Sequence, residues 1–310
     1  MKLIASALIL FLQFLIRASA RAQGDEYASD PNVIELSASN FDKAIHNTNY
    51  TTIVKFYAPW CGYCQQLKPV WRKLSKYMNQ DAQLGINVAA LNCDNPQNKP
   101  LCSSYQIQGF PTLMVFRPPK FAKGKPTARG KKHASEVYQG QRTLKAISSF
   151  LTSRLKNYVT KLYNLEDDLV KWISENASDA NYAPKVFLVA KANSISPLLK
   201  TVAIDYLGSV DFAMFGKLND FEKSVDIGGT TVKIPAVDKS TLFYFDKAAK
   251  ELVQYAESEK LNDKKKISQW ITKVSGVEPV EGPLSKKGKK LEKYRSGKRS
   301  KKNSVQHDEL

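Results

Sequence analysis

The chain has 310 residues, 43 % of them hydrophobic, and 47 Lys and Arg against 29 Asp and Glu leave a net charge of +18. Less a leader, about 290 residues with that apolar content suit two domains of ordinary size plus a tail. The positive excess does not point to a nucleic-acid surface, because it is concentrated in two segments that have no apolar period.

At the start, Met1 and Lys2 precede the mostly apolar run "LIASALILFLQFLI", and Ala18-Ser19-Ala20 or Ala20-Arg21-Ala22 follows. Residues 1–22 therefore read as a secretory signal peptide. A 14-residue run rises only about 21 Å as a helix, short of the roughly 30 Å needed for a membrane anchor. No later stretch is apolar enough to span a bilayer, so a protein soluble in an oxidising compartment is expected.

From about residue 30 to 158, strands and helices alternate. "FDKAIHN" has helical spacing, and "TTIVKFYA" is a β-branched and aromatic strand. After Pro59 and Trp60 comes "CGYCQQLKPVWRKLSKYM", an amphipathic helix in which Pro69 is expected to cause a kink. "INVAALNCD" is a buried strand, "NKPLCSSYQI" a short helix, "PTLMVF" and "EVYQG" strands, and "LKAISSFLTSRLKNYV" a final helix. That order implies a mixed sheet with helices on both faces, the order of a thioredoxin fold. Residues 117–135 hold seven basic residues among three prolines and read as solvated and mobile.

Residues 159–279 repeat a weaker version of the pattern and contain no cysteine. "KVFLVAK" and "VDFAMFGK" are strands, "ISPLLKTVAIDYL" and "DKKKISQWITKV" helices, and "TLFYFDKAAKELVQYA" a hairpin. The fold class expected is α/β, two tandem thioredoxin-like domains over 23–158 and 159–279, the second without redox chemistry. Residues 280–310 form a basic tail, with ten Lys or Arg and one Glu between 286 and 302, expected to be flexible. It is either a self-repelling stalk or an electrostatic lure for acidic partners or membrane surfaces. Its last residues, His307, Asp308, Glu309 and Leu310, spell an endoplasmic-reticulum retention address. Sequons at Asn49 and Asn176 permit glycosylation in that compartment.

Two of the four cysteines, Cys61 and Cys64, stand three residues apart just after a strand and turn. A bond between them closes too small a loop to stabilise the fold much, so reactivity is the better reason for the pair. Cys61 at a helix start meets free backbone N–H groups and the positive end of the dipole, which marks it as the nucleophile. Cys64, one turn on and facing inward, is the resolving thiol. A zinc site completed by Cys93 and Cys102 is disfavoured by the strand-to-helix context and by eight residues between the second pair.

"KFYAPWCGYC", "GFPTLMVF" and "VYQGQR", in this order, resemble the catalytic domain of protein disulfide isomerases, and the whole chain is similar to the small fungal members with one active domain. The resemblance implies a thiol-disulfide oxidoreductase of the endoplasmic reticulum that needs no cofactor or metal. It implies unfolded or misoxidised secretory proteins as clients, a thiol oxidase or glutathione as redox partner, and the receptor of the retention signal and lectin-type chaperones as further partners. A folding chaperone or adaptor whose binding outweighs its redox activity is the alternative.

The resemblance also assigns residues. Pro111 falls where such folds carry a cis peptide beside the pair, exposing the Phe110 backbone to an extended client, with Trp60, Tyr63 and Phe110 as apolar contacts. Arg142 matches the arginine that lowers the resolving cysteine's pKa. Tyr63 stands where the family usually has histidine, so the pair is expected to be less oxidising than in typical isomerases. Lys55 replaces a buried glutamate six residues before Cys61; it either serves proton transfer or snorkels to solvent. Cys93 and Cys102 bracket "DNPQNKPL" as a structural disulfide or as two free buried thiols.

Overall fold

The β-branched runs become the strands of two five-stranded sheets in a computed structural model that describes residues 25–121, 132–175, 182–218, 220–256 and 260–295. The first sheet is built from β1 (Ile34–Leu36), β2 (Thr51–Tyr57), β3 (Ile86–Asn92), β4 (Thr112–Arg117) and β5 (Ala134–Val137), in the order β1-β3-β2-β4-β5. β3 pairs in parallel with both β1 and β2, whereas β4 is antiparallel to β2 and to β5. Helices α1 (Phe41–Ile45), α2 (Gly62–Lys76), α3 (Lys99–Ser104) and α4 (Leu144–Ser153) accompany this sheet. β2 and β3 are buried at every residue, as strands covered on both faces must be.

The second sheet, β12-β11-β7-β8-β6, uses β6 (Val159–Leu162), β7 (Lys185–Val189), β8 (Asp211–Phe215), β11 (Thr241–Asp246) and β12 (Glu251–Gln254). Its pairings repeat the first sheet strand for strand: β8 is parallel to β6 and β7, and β11 is antiparallel to β7 and β12. Both halves are thus mixed α/β sheets of the thioredoxin kind. The second half includes α5 (Asp167–Ser174), α6 (Pro197–Asp205) and α7 (Lys264–Ser275), and adds a separate hairpin of β9 (Lys223–Asp226) and β10 (Thr231–Ile234).

α2 buries Cys64, Leu67, Trp71, Leu74 and Ser75, a stripe at helical spacing, and Trp71 donates to the Ala89 carbonyl of β3. The helix runs through Pro69 and passes into a π-helical turn at Tyr77–Asp81. Tyr77, the first residue of that turn, is exposed. Among the described residues no helix is long and apolar enough to cross a membrane.

The two halves meet through buried polar groups. The Tyr50 hydroxyl donates to Asp205, the Lys264 ammonium reaches Asp205 and Tyr50 at 3.0 Å each, and Gly85 N–H donates to the Thr201 hydroxyl at 2.9 Å. Ile204 of α6 joins the apolar cluster of the first half.

The basic tail corrects the sequence expectation. Lys286–Arg295 forms a helix, α8, which lies against β1. Leu291 and Tyr294, three apart, pack against the apolar cluster of the first half that includes Ile34 and Phe41. Arg295 is buried, donating to Asn87 of β3 at 3.0 Å and to Glu292 at 2.8 Å. Charge counting obscured two apolar residues on one helix face, and these set where the segment sits. Residues 296–310, with the retention sequence, lie outside the described residues.

Glu281 closes the junction. Its backbone N–H bonds to the Asp205 carbonyl at 3.1 Å, while its carboxylate accepts from Thr48, from both nitrogens of Asn49 and, at 2.7 Å, from Lys287. The Asn49 amide nitrogen, the atom a glycan would occupy, is therefore engaged, and Thr51 of the same sequon is buried. Asn176 falls outside the described residues.

Glu281→Ala strands the Thr48 and Asn49 donors and the Lys287 charge. A loss of about 2–4 kcal/mol in urea unfolding is expected, with native-state tryptic cleavage inside Lys286–Arg295 that the wild type resists.

Candidate active site

β2 ends at Tyr57, and Ala58, Pro59 and Trp60 turn the chain into α2. Cys61 is the N-cap of α2, with extended backbone (φ −77°, ψ 115°). Its carbonyl accepts from the N–H groups of Cys64 and Gln65 at 3.0 and 3.1 Å, and its sulfur accepts from Cys64 N–H at 3.4 Å. A sulfur thus stands where a capping oxygen usually does, at the positive end of the helix. Cys61 Sγ also donates to the Phe110 carbonyl at 3.5 Å.

Cys64 lies one turn deeper, with no exposed surface against 8 % for Cys61. Burial, reinforced by a hydrogen bond from the Cys64 thiol to Cys61, pushes its pKa up to about 12. The two sulfurs thus occupy different environments, one slightly exposed on the helix end and one sealed beneath it.

The peptide between Phe110 and Pro111 is cis. Phe110 meets Trp60 edge to face at 6.1 Å between ring centroids, and Trp60 donates to Asp94 at 3.1 Å. Trp60 and Tyr63 are 65 % and 72 % exposed, so two aromatic rings stand in solvent beside the half-buried Phe110. Arg142 is exposed and donates to the Pro111 carbonyl at 3.1 Å; it makes no hydrogen bond or ion pair with either cysteine.

Lys55 does not snorkel: it has no exposed surface. Its ammonium donates to the Tyr27 hydroxyl at 2.8 Å, the Cys64 carbonyl at 3.0 Å and the Glu26 carboxylate at 3.4 Å. Burial pulls its pKa below the ordinary lysine range, against the opposing charge of Glu26. Sequence reasoning missed Glu26 and Tyr27, which precede the first strand and belong to no periodic pattern. It also missed Asp94, the partner of Trp60. Cys93 and Cys102 are bonded to each other at the end of β3 and within α3, which removes both from any four-thiolate metal set with Cys61 and Cys64.

A slightly exposed thiol on a helix N-terminus, a fully buried second thiol one turn behind it and a cis Phe110–Pro111 peptide alongside define a thiol-disulfide oxidoreductase on a thioredoxin scaffold. The thioredoxin family model matches residues 32–153. Protein disulfide-isomerase MPD1 of Saccharomyces cerevisiae is 39 % identical over 97 % of this chain and 98 % of its own. The chain belongs to the protein disulfide-isomerase family. Protein disulfide isomerase-like 2-3 of Oryza sativa is 31 % identical over 67 % of this chain and 46 % of its own. Protein disulfide-isomerase A6 of Mus musculus is 36 % identical over 43 % of this chain and 26 % of its own.

The difference between the sulfurs is directly measurable. In Cys61→Ser the remaining thiol of the pair is expected to react with iodoacetamide at pH 7 about ten-fold or more slowly than that of Cys64→Ser. A thiol with a raised pKa holds little thiolate until the pH approaches that value, so the gap should narrow as pH rises.

Proposed function

We propose that this protein disulfide isomerase forms, rearranges and reduces disulfides in secretory proteins within the lumen of the endoplasmic reticulum. The observation that carries the reading is the Cys61 sulfur on the N-terminus of α2, beside the Phe110 carbonyl, with Cys64 sealed one turn behind. The leader-like first 22 residues and the His307–Leu310 terminus support the compartment. Retention then involves a receptor for that terminus.

Cys61 is the nucleophile. As thiolate it attacks a client disulfide; one client sulfur leaves with the electron pair, and the other stays bonded to Cys61. In isomerisation a second client thiolate displaces Cys61. In reduction Cys64 attacks the Cys61 sulfur, so the client leaves reduced and the enzyme holds the Cys61–Cys64 disulfide. Oxidation runs the same steps backwards, and a thiol oxidase or glutathione resets the pair.

Trp60, Tyr63 and Phe110 hold apolar client side chains, and beside the cis Pro111 the backbone at Phe110 pairs with an extended client strand. That mode reads main chain rather than side chains, which suits many unfolded clients. Lys55 is the buried cation that eases proton loss from Cys64, and Arg142, held against Pro111, does so from the surface when it swings inward. The catalytic unit spans 23–158, and 159–279 is a redox-silent unit that offers client or chaperone contacts.

Reactivation of scrambled ribonuclease tests the reading. Cys61→Ser is expected to lose at least about 90 % of the activity, while Cys64→Ser should retain part of it and accumulate covalent client adducts. Full activity without Cys61 overturns the enzymatic reading in favour of a chaperone.

A further inference from the structure

Lys55 sits mid-strand in β2, opposite Ala90 of β3 and Leu113 of β4, where the surroundings are otherwise apolar. A buried ammonium needs partners for its protons. Only one of its three is the Cys64 carbonyl; the other two, the Glu26 carboxylate and the Tyr27 hydroxyl, come from the segment before the first strand. The rings of Tyr27 and Tyr57 each lie 5.0 Å from Nζ, adding two aromatic faces.

That segment is itself pinned. Glu26 N–H donates to the Tyr57 hydroxyl at 2.8 Å, Tyr27 N–H donates to Glu35 at 3.0 Å, and the Tyr57 hydroxyl donates to Glu35. The Glu26 side chain is only 7 % exposed. A surface tail would not need a buried carboxylate aimed at a lysine behind the redox pair.

We propose that Glu26 and Tyr27 are positioning residues of the redox centre: they hold the Lys55 ammonium, in its charged form, beneath Cys64, and that charge favours the Cys64 thiolate. The inference rests on the reading that Cys64 resolves mixed disulfides with Lys55 behind it. In that step the Cys64 proton passes to solvent, and the Cys64 sulfur attacks the Cys61 sulfur. The Cys61–Cys64 bond forms as the Cys61–client bond breaks, and the client sulfur leaves with the electron pair and takes up a proton. Lys55 keeps its own proton throughout and contributes only charge.

The groups around Lys55 set the sign. Glu26 opposes the loss of its proton, burial and Lys68 favour that loss, and Cys64 gains from the charge. Asp25 and Glu35 lie beyond, around Tyr27 and Tyr57, which burial keeps neutral. Removing the Glu26 charge lets Lys55 deprotonate at lower pH, so at neutral pH Cys64 loses its cation and resolution slows.

The test uses the full chain reacted with glutathione disulfide, following decay of the Cys61–glutathione adduct by acid quench and mass analysis from pH 5 to 9. Glu26→Gln is expected to slow decay about ten-fold at pH 7 and move the midpoint of the pH profile up by about one unit. Tyr27→Phe should act in the same direction more weakly, and Glu26→Asp should restore most of the rate. Lys55→Met separates the two layers of the reading. If it slows decay but Glu26→Gln leaves rate and midpoint unchanged, or slows the rate without moving the midpoint, the positioning proposal is overturned and Lys55 retains its role. If neither variant changes decay, both fall. Should Glu26→Gln misfold, Tyr27→Phe decides, because an unchanged profile there also overturns the proposal.

Discussion

The site depends on a sulfur used as a helix cap. An N-cap oxygen quiets the free N–H groups of a helix start, and its role ends there. At Cys61 the same position carries an atom that can leave, bond elsewhere and return, so the cap is also the reactive group. The surrounding fold serves that placement. β2 runs fully buried to Tyr57, the turn through Pro59 and Trp60 ends its path, and the stripe from Cys64 to Ser75 fixes α2 on the sheet. Any slack in that stripe would move Cys61 relative to Phe110.

Beneath the cap, polarity replaces the usual apolar filling. A buried lysine is costly unless every proton is partnered. Here the partners are one backbone carbonyl, one phenol and one carboxylate, the last two drawn from outside the sheet. The N-terminal segment is thus part of the redox domain's interior. The C-terminal segment behaves similarly at the junction, where Glu281 gathers donors from Thr48, Asn49 and Lys287 and α8 covers β1. Both ends of the described chain are therefore structural.

Much of this was legible in the sequence, for identifiable reasons. Cys61 and Cys64 carried their own signal, because a strand, a turn and a helix start surround them. β2, β3, β4, β7, β8 and the β11–β12 hairpin were visible as β-branched and aromatic runs. β1 and β6, of three and four residues, were too short to show a period. α5 was missed although Leu169, Trp172 and Ile173 have helical spacing. α8 was hidden by its lysines, since composition outweighs two apolar residues when charges are counted. Glu26 had no local signal, because its role exists only where the chain folds back under β2.

On the proposed function a Cys61–Cys64 bond opens readily, in contrast to the Cys93–Cys102 bond that ties α3 to the end of β3. Its reduction potential, measured by equilibration of the full chain with glutathione, tests this most directly. With Tyr63 where a charged histidine commonly stands, a value between about −270 mV and about −180 mV is expected, the range from thioredoxin to typical isomerases. A value below about −300 mV, where structural disulfides lie, would contradict it.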